Sequence, residues 1–290
     1  MASLDALVVR HSRMAGAQSP AGPEEVDPER CHRQAGSARW LFQGVGPVDV
    51  NAVPGRSSRL HGGRASAGSQ LQLQDLVNDR ASSLNSLLRS ASKSFRRLSV
   101  GDPQWASPLA EGDYCEYQDG AFLAAVGLER LAPDLKSFWP RRGPVWDGLA
   151  RVRTASGEEG VLLVEAKSHT KENAGPTYAC GARGASLERI TAQLQTVKGS
   201  LGVDPSVNWL ADYYQHANRI AHLWFLHHHG VPAWLVYVYF VGDRVMGGPE
   251  DPHGWDAALR ETDDAIGLPR EHPLADRIVR VFPEAANATT

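Results

Sequence analysis

Residues 146–168 read WDGLARVRTASGEEGVLLVEAKS. Two runs, WDGLARVRT and GVLLVEAKS, flank the joint ASGEEG. The alternation in the runs and the glycine- and serine-containing joint predict a β-hairpin. Alternate side chains of a strand share a face, so Glu165 and Lys167 point the same way. Four apolar residues, 161–164, lead directly into that pair. Charge at the end of an apolar strand is costly to bury, which asks for a role. With the turn centred on Gly157, Asp147 faces Lys167 and Leu149 faces Glu165. A register shifted by two residues instead sets Asp147 opposite Glu165. Both arrangements gather Asp147, Glu165 and Lys167 at one end of the hairpin.

Two carboxylates beside a lysine suit a hard divalent cation, Mg²⁺ or Mn²⁺. Mg²⁺ uses one or two carboxylates and leaves room for water and a substrate phosphate. Such an ion polarises a phosphoryl oxygen and acidifies water, and the lysine orients the attacking water or offsets transition-state charge. The chemistry this predicts is phosphodiester hydrolysis. The plainer alternative is a surface hairpin with Glu165 and Lys167 in solvent.

Around the hairpin, residues 116–131 read as a helix with Phe122, Val126 and Leu131 as its apolar stripe, followed by a connector between Pro133 and Pro140. Residues 185–201 read as a helix closed by Gly202, and 211–229 as another with Gly230 just beyond it. AWLVYVYFVGD (233–243) is a nearly continuous apolar strand, expected inside a sheet. DRIVRVF (276–282) is a last short strand. The order predicts an α/β domain with a central mixed sheet flanked by helices. Residues 71–100 read as one amphipathic helix, with a break near Ser82 and Ser83. Its basic end (Arg89, Lys93, Arg96, Arg97) is either a contact for nucleic acid or acidic lipid, or the solvated face of a packed helix. Residues 1–70 are rich in Gly, Pro, Ser and Arg and are expected to be disordered. The domain is therefore expected over 101–290.

Asp147 followed by Glu165-Ala166-Lys167 on the next strand resembles the PD-(D/E)XK nuclease superfamily. The proline stands three residues before the aspartate here, as Pro144-Val145-Trp146-Asp147. Over residues 114–283 the longer pattern FWPRRGPVWDGLARV, LLVEAKSH and YYQHANRIAHLWFLHHHGVPAWLVYVYFVGD resembles an uncharacterised bacterial family within that superfamily. The resemblance implies a restriction-endonuclease-like core, Mg²⁺ held by Asp147 and Glu165, and a Lys167 that assists the water. It implies DNA as substrate, with RNA left open. It also implies a third acid from the preceding helix, for which Glu116 is preferred over Asp119 and Glu129. The Gln-x-x-x-Tyr motif of the superfamily's exonuclease-like branch is not found.

Gln215, Asn218, Arg219 and His222 form one polar stripe on the helix from residue 211, read either as a cleft lining that contacts phosphate or as a solvent face. Arg141, Arg142, Gln215 and Arg219 are the candidate substrate contacts. Three consecutive helical residues, His227, His228 and His229, point three ways and cannot share one ion; a role at the helix end is expected. His169 reads as a loop residue near the mouth of the site. Ser168 and Ser186 lack the turn of a nucleophilic serine, and no Walker or dinucleotide-binding loop is present.

Composition narrows the classes. The chain is 42% hydrophobic and 22% charged, which excludes wholesale disorder. No apolar run reaches a membrane span, and the N-terminus lacks the pattern of a secretory signal. Three scattered cysteines fit a reducing cytoplasm. Charge is uneven: net +2 over residues 1–70, +3 over 71–100 and −8 over the remainder. An acidic domain weighs against nucleic acid. It favours two rivals, a non-catalytic scaffold with a protein partner and a hydrolase of small phosphoesters.

Overall fold

The structure, a computed structural model, describes residues 62–286. Of the expected disorder over 1–70, residues 1–61 lie outside the described residues, whereas residues 68–70 already belong to a helix. The body is built on a five-stranded mixed sheet in the order β1-β2-β3-β4-β5. Its strands are β1 (Ser99–Ser107), β2 (Gly148–Thr154), β3 (Glu159–Lys167), β4 (Ala233–Tyr239) and β5 (Ile278–Val281). The first two pairings are antiparallel and the last two parallel. Parallel neighbours need a long crossover. Between β3 and β4 it is made by α6 (Gly184–Leu201) and α7 (Tyr214–His228).

The hairpin is real, and its turn sets the register. Thr154 N–H donates to Glu158 O and Gly157 N–H to Thr154 O, both at 2.9 Å. Gly157 takes φ 85°, the left-handed residue that closes a three-residue hairpin loop. The pairing therefore pivots one residue earlier than a Gly157-centred turn. Gly148 faces Val164 and Leu149 faces Leu163. The next step along the strands sets Asp147 level with Glu165, the second of the two expected registers.

Every residue of β3 from Gly160 to Lys167 is buried, as is all of β4. A strand buried on both faces needs a layer on each. Val161 and Leu163 pack with Phe122, Leu135, Ile190 and Leu223. Those residues belong to α4 (Asp119–Ala125), α5 (Ala132–Phe138), α6 and α7, a layer that also takes Leu259 and Ile266 of α8 (Asp256–Ile266). Leu162, Val164 and Ala166 pack on the other side with Leu73, Leu76, Leu84, Leu88 and Phe95. These come from α1 (Gly68–Asp79), α2 (Ala81–Ala91) and α3 (Lys93–Leu98). Burying one such leucine is worth about 1.5–3 kcal/mol.

Three expectations are corrected here. Residues 71–100 are three helices and the start of a strand, with the first break at Arg80 rather than at Ser82 and Ser83. The α3 boundary has a local cause, since the Ser92 hydroxyl accepts from Phe95 N–H at 3.1 Å. The domain does not begin at 101, because that position lies inside β1 and residues 68–98 supply one whole layer. The connector between Pro133 and Pro140 is α5, with Pro133 in its first turn, where a missing N–H costs nothing. Gly202, at φ 75°, closes α6 as expected.

Candidate active site

The hairpin places its charged pair at the end of β3, on the side that faces α4–α7. An antiparallel bridge joins Tyr117 to Trp146. One residue further along each segment, Glu116 lies level with Asp147. Three carboxyl groups, Glu116, Asp147 and Glu165, thus share one neighbourhood with Lys167. Glu116, Glu165 and Lys167 are each no more than 5% exposed, which makes ionisation here expensive without partners.

The partners come from β3 itself and from α7. Lys167 Nζ donates to Glu165 Oε1 at 2.5 Å and to Gln215 Oε1 at 3.0 Å. Arg219 Nε donates to Glu165 Oε2 at 2.7 Å, and its guanidinium also reaches Val145 O at 2.8 Å. The same guanidinium lies 5.1 Å over the Trp146 ring. Gln215 and Arg219 are one turn apart on α7, so the stripe read from sequence turns inward, onto the sheet. It is a buried face, not a solvent face: Asn218, Arg219 and His222 are all buried. Gln215 and Arg219 are thereby engaged with Lys167 and Glu165 rather than with open solvent.

Burial would raise the Glu165 pKa, but the charges of Arg219 and Lys167 outweigh it and hold the group at about 2. Lys167 is raised above its ordinary value: burial opposes its charge, but Glu165 and Asp147 more than compensate. Asp147 is pushed well up by its dense surroundings and then by Glu165 and Glu116, although its Oδ2 accepts from Ala166 N–H at 2.7 Å. Glu116 rises to about 7, from burial and from Glu165, against the opposing hydrogen bond from Gln70. Gln70 Nε2 donates to Glu116 Oε1 at 2.9 Å.

Two further features were not read from the sequence. His216, buried beside Lys167, is lowered to about 4 by burial and then by that lysine's charge. Its Nε2 lies 3.0 Å from Asn173 O and its ring 5.1 Å from that of Tyr237. Glu172 follows β3 and gathers three contacts, from Ser168 N–H at 3.3 Å, His169 Nε2 at 3.2 Å and Ser69 Oγ at 2.8 Å. The first turn of α1 therefore fastens to both Glu116 and Glu172. The pairing of residue 70 with 116 leaves no periodic signal in the sequence.

The remaining candidates fall elsewhere. Asp119 accepts from the N–H groups of Arg142 at 3.0 Å and Gly143 at 2.8 Å, so it builds a loop. Glu129 is exposed. Arg141 and Arg142 line a separate cleft. His222 sits in an aromatic cage of Phe122, Phe138, Trp139 and Trp146, and burial lowers it to about 3. His227 bonds Ala233 O at 2.9 Å, while His228 stacks on Trp224 and His229 meets Phe225 at a tilt, three directions as expected. His169 meets Glu172, and Ser168 is buried.

The donor set suits a hard cation. It offers carboxylate oxygens, although Asp147 and Glu116 are pushed toward their protonated forms while Glu165 is ionised against Lys167 and Arg219. Among the described residues no group of three or more His, Cys, Asp or Glu converges as a metal cage. Mg²⁺ takes one or two carboxylates and completes its shell with water. No described helix is long and apolar enough to cross a membrane. Comparison of the chain with protein-family models, with curated proteins and with solved structures returned no match.

Proposed function

We propose that this chain is a metal-dependent nuclease with a PD-(D/E)XK-like core, hydrolysing phosphodiester bonds of DNA. The observation that carries the reading is the convergence of Asp147, Glu165 and Lys167 on one face at the end of β3, with Glu116 alongside. When bound by Asp147 and Glu165, Mg²⁺ or Mn²⁺ supplies Lewis acidity that draws charge from the phosphoryl group and acidifies water. The residues of the chain do the rest. An ammonium has three donors, and Lys167 uses two of them on Glu165 and Gln215. Among the described residues the third has no acceptor, which leaves it to orient a water or to meet charge that develops on a phosphoryl oxygen. Arg219 keeps Glu165 ionised and, through Val145 O and the Trp146 ring, fixes the segment that carries Asp147.

The test is cleavage of supercoiled plasmid and of a linear single-stranded oligonucleotide with Mg²⁺ or Mn²⁺, wild type beside Lys167→Ala. The reading requires metal-dependent cutting that falls by at least about 10²-fold in the variant, the scale of losing one transition-state donor. Cutting that survives in an Asp147→Ala, Lys167→Ala double variant would falsify the mechanism. An RNA strand in the same assay decides the sugar.

A second reading has its own support. Both oxygens of Glu165 already have cationic partners, and the chain beyond residue 100 is net −8. A non-catalytic module with a protein partner would share these features. Calorimetric titration separates the two, because the module shows no Mg²⁺ or Mn²⁺ affinity at millimolar concentration.

A further inference from the structure

A cleft of about 890 Å³ opens away from the carboxylates. Its apolar lining includes Ala132, Leu135, Trp139 and Pro140, and its cations are Lys136, Arg141 and Arg142. All three cations are exposed, while Leu135 and Trp139 are buried, so the charges form the rim and the apolar groups the floor. The volume lies within the range of small-molecule sites, about 300–1,000 Å³.

The local charge runs against its surroundings, since three cations gather on a domain that is acidic overall. Asp119 lines the cleft too, but both of its oxygens are taken by backbone N–H groups of residues 142 and 143. Arg189 adds a further cation, with its guanidinium 3.3 Å from Lys136 O. Two facing residues, Asp119 and Arg142, hold left-handed backbone at φ 49° and 69° without being glycine. Strain of that kind gathers at ligand clamps and active sites. The indole N–H of Trp139, buried against the cleft, has no acceptor among the described residues.

The cleft is also joined to the site. Glu116 and Asp147 lie side by side through the bridge of Tyr117 to Trp146. From there, one segment runs forward to Gln118 and Asp119, and the other runs back to Arg142. At about 3.3 Å per residue the two positions are on the order of 10–17 Å apart along the chain, a few nucleotides of strand.

We propose that this cleft holds a nucleotide of the bound strand, with phosphate on the Lys136, Arg141 and Arg142 rim and base against the apolar floor. The proposal rests on the nuclease reading of the carboxylate site. It assigns the cleft a different job, which is holding substrate away from the bond that breaks.

The test uses the full chain in chelator, where no strand is cut. Two probes are titrated: a short dye-labelled single-stranded DNA by anisotropy, and deoxyadenosine monophosphate by calorimetry. The variant is Lys136→Gln, Arg141→Gln, with circular dichroism to confirm its fold. Arg142 is left in place because its backbone belongs to the loop. A control, Arg96→Gln, Arg97→Gln, removes the same charge from the layer on the other side of the sheet. The oligonucleotide should bind at least about tenfold more weakly to the cleft variant, with the salt slope of log K lowered by about 1.4, roughly 0.7 per phosphate contact. The control should bind like wild type.

Loss of deoxyadenosine monophosphate binding in the same variant identifies a pocket that a free nucleotide can fill. Oligonucleotide binding alone identifies a strand path. Both support the proposal. Equal affinity in the cleft variant, an equal loss in the control, or no binding of either probe to wild type overturns it. The two readings fail separately. Wild-type cutting with unchanged binding in the cleft variant sinks only the cleft. Weakened binding with no cutting by any variant sinks only the nuclease.

Discussion

Arg219 neutralises one side of Glu165, holds the Val145 carbonyl and covers the Trp146 ring. Arg219→Met should therefore cost about 3–5 kcal/mol in denaturant unfolding, the scale of leaving half of a buried ion pair. It should also raise the Glu165 pKa from about 2. Adding Glu165→Gln should cost less than the sum of the two single changes, because the pair is coupled. Glu116 makes a pH prediction. Its pKa of about 7 in the fold lies above its ordinary value, so the native state binds the extra proton between pH 4.5 and 7. Its contribution is present below 4.5 and lost as pH rises through 7, about 3 kcal/mol in all. His216 and His222 act in the opposite sense. Both are lowered, so protonating them disfavours the fold and stability falls on acidification below 6.5. The Glu116 share is isolated by comparing wild type with Glu116→Gln, which keeps the acceptor for Gln70: the difference in stability should change across pH 4.5–7 in favour of Gln. A difference flat in pH would count against the raised pKa.

At the level of elements, the end of β3 is fitted against the loop that follows β4. A Cβ on Gly248 would stand 2.1 Å from the Ser168 carbonyl oxygen, which is backbone and cannot turn away. Gly248→Ala should therefore destabilise by about 1–3 kcal/mol and disturb Lys167 next door, lowering the proposed cleavage more than a distant change of equal stability cost. Thermal unfolding and cleavage rate measured together check this. The hairpin was legible in the sequence because strand periodicity and a turn signal are local. The register was legible only to within two residues, since it depends on which turn residue takes the left-handed conformation. The α7 stripe was legible as a stripe, but periodicity carries no sign for inward or outward. β1 was not legible: Gly101, Asp102 and Pro103 interrupt its alternation, and its pairing with β2 shifts register along its length.

At the scale of the molecule, the sheet is usable only with both of its layers. The segment read as an added amphipathic helix is one of them, because nothing within 71–100 states which sheet it covers. Leu84→Ala should then cost about 2–5 kcal/mol, as for a core leucine, and a chain begun at residue 101 should not give a soluble monomer. Retention of the wild-type midpoint by either would show the N-terminal layer to be dispensable. The fold class was legible from element order alone. The contacts of Glu116 with Gln70 and of Glu172 with Ser69 were not, because they join positions 46 and 103 residues apart.

That N-terminal layer has a consequence in time. Gln72 exchanges hydrogen bonds with the backbone of Ala286, at 3.3 and 2.6 Å, across 214 residues, and Ser94 bonds Asp276 O. During synthesis the early helices leave the ribosome long before the strands they cover. They have no finished platform until β5 has been made, and the carboxylates cannot be held in their final places before α7. A topology so rich in distant pairings folds more slowly than one built from local contacts. A ribosome-stalled chain that ends just before residue 219 should therefore lack the proposed cleavage, even though Asp147, Glu165 and Lys167 have all been translated.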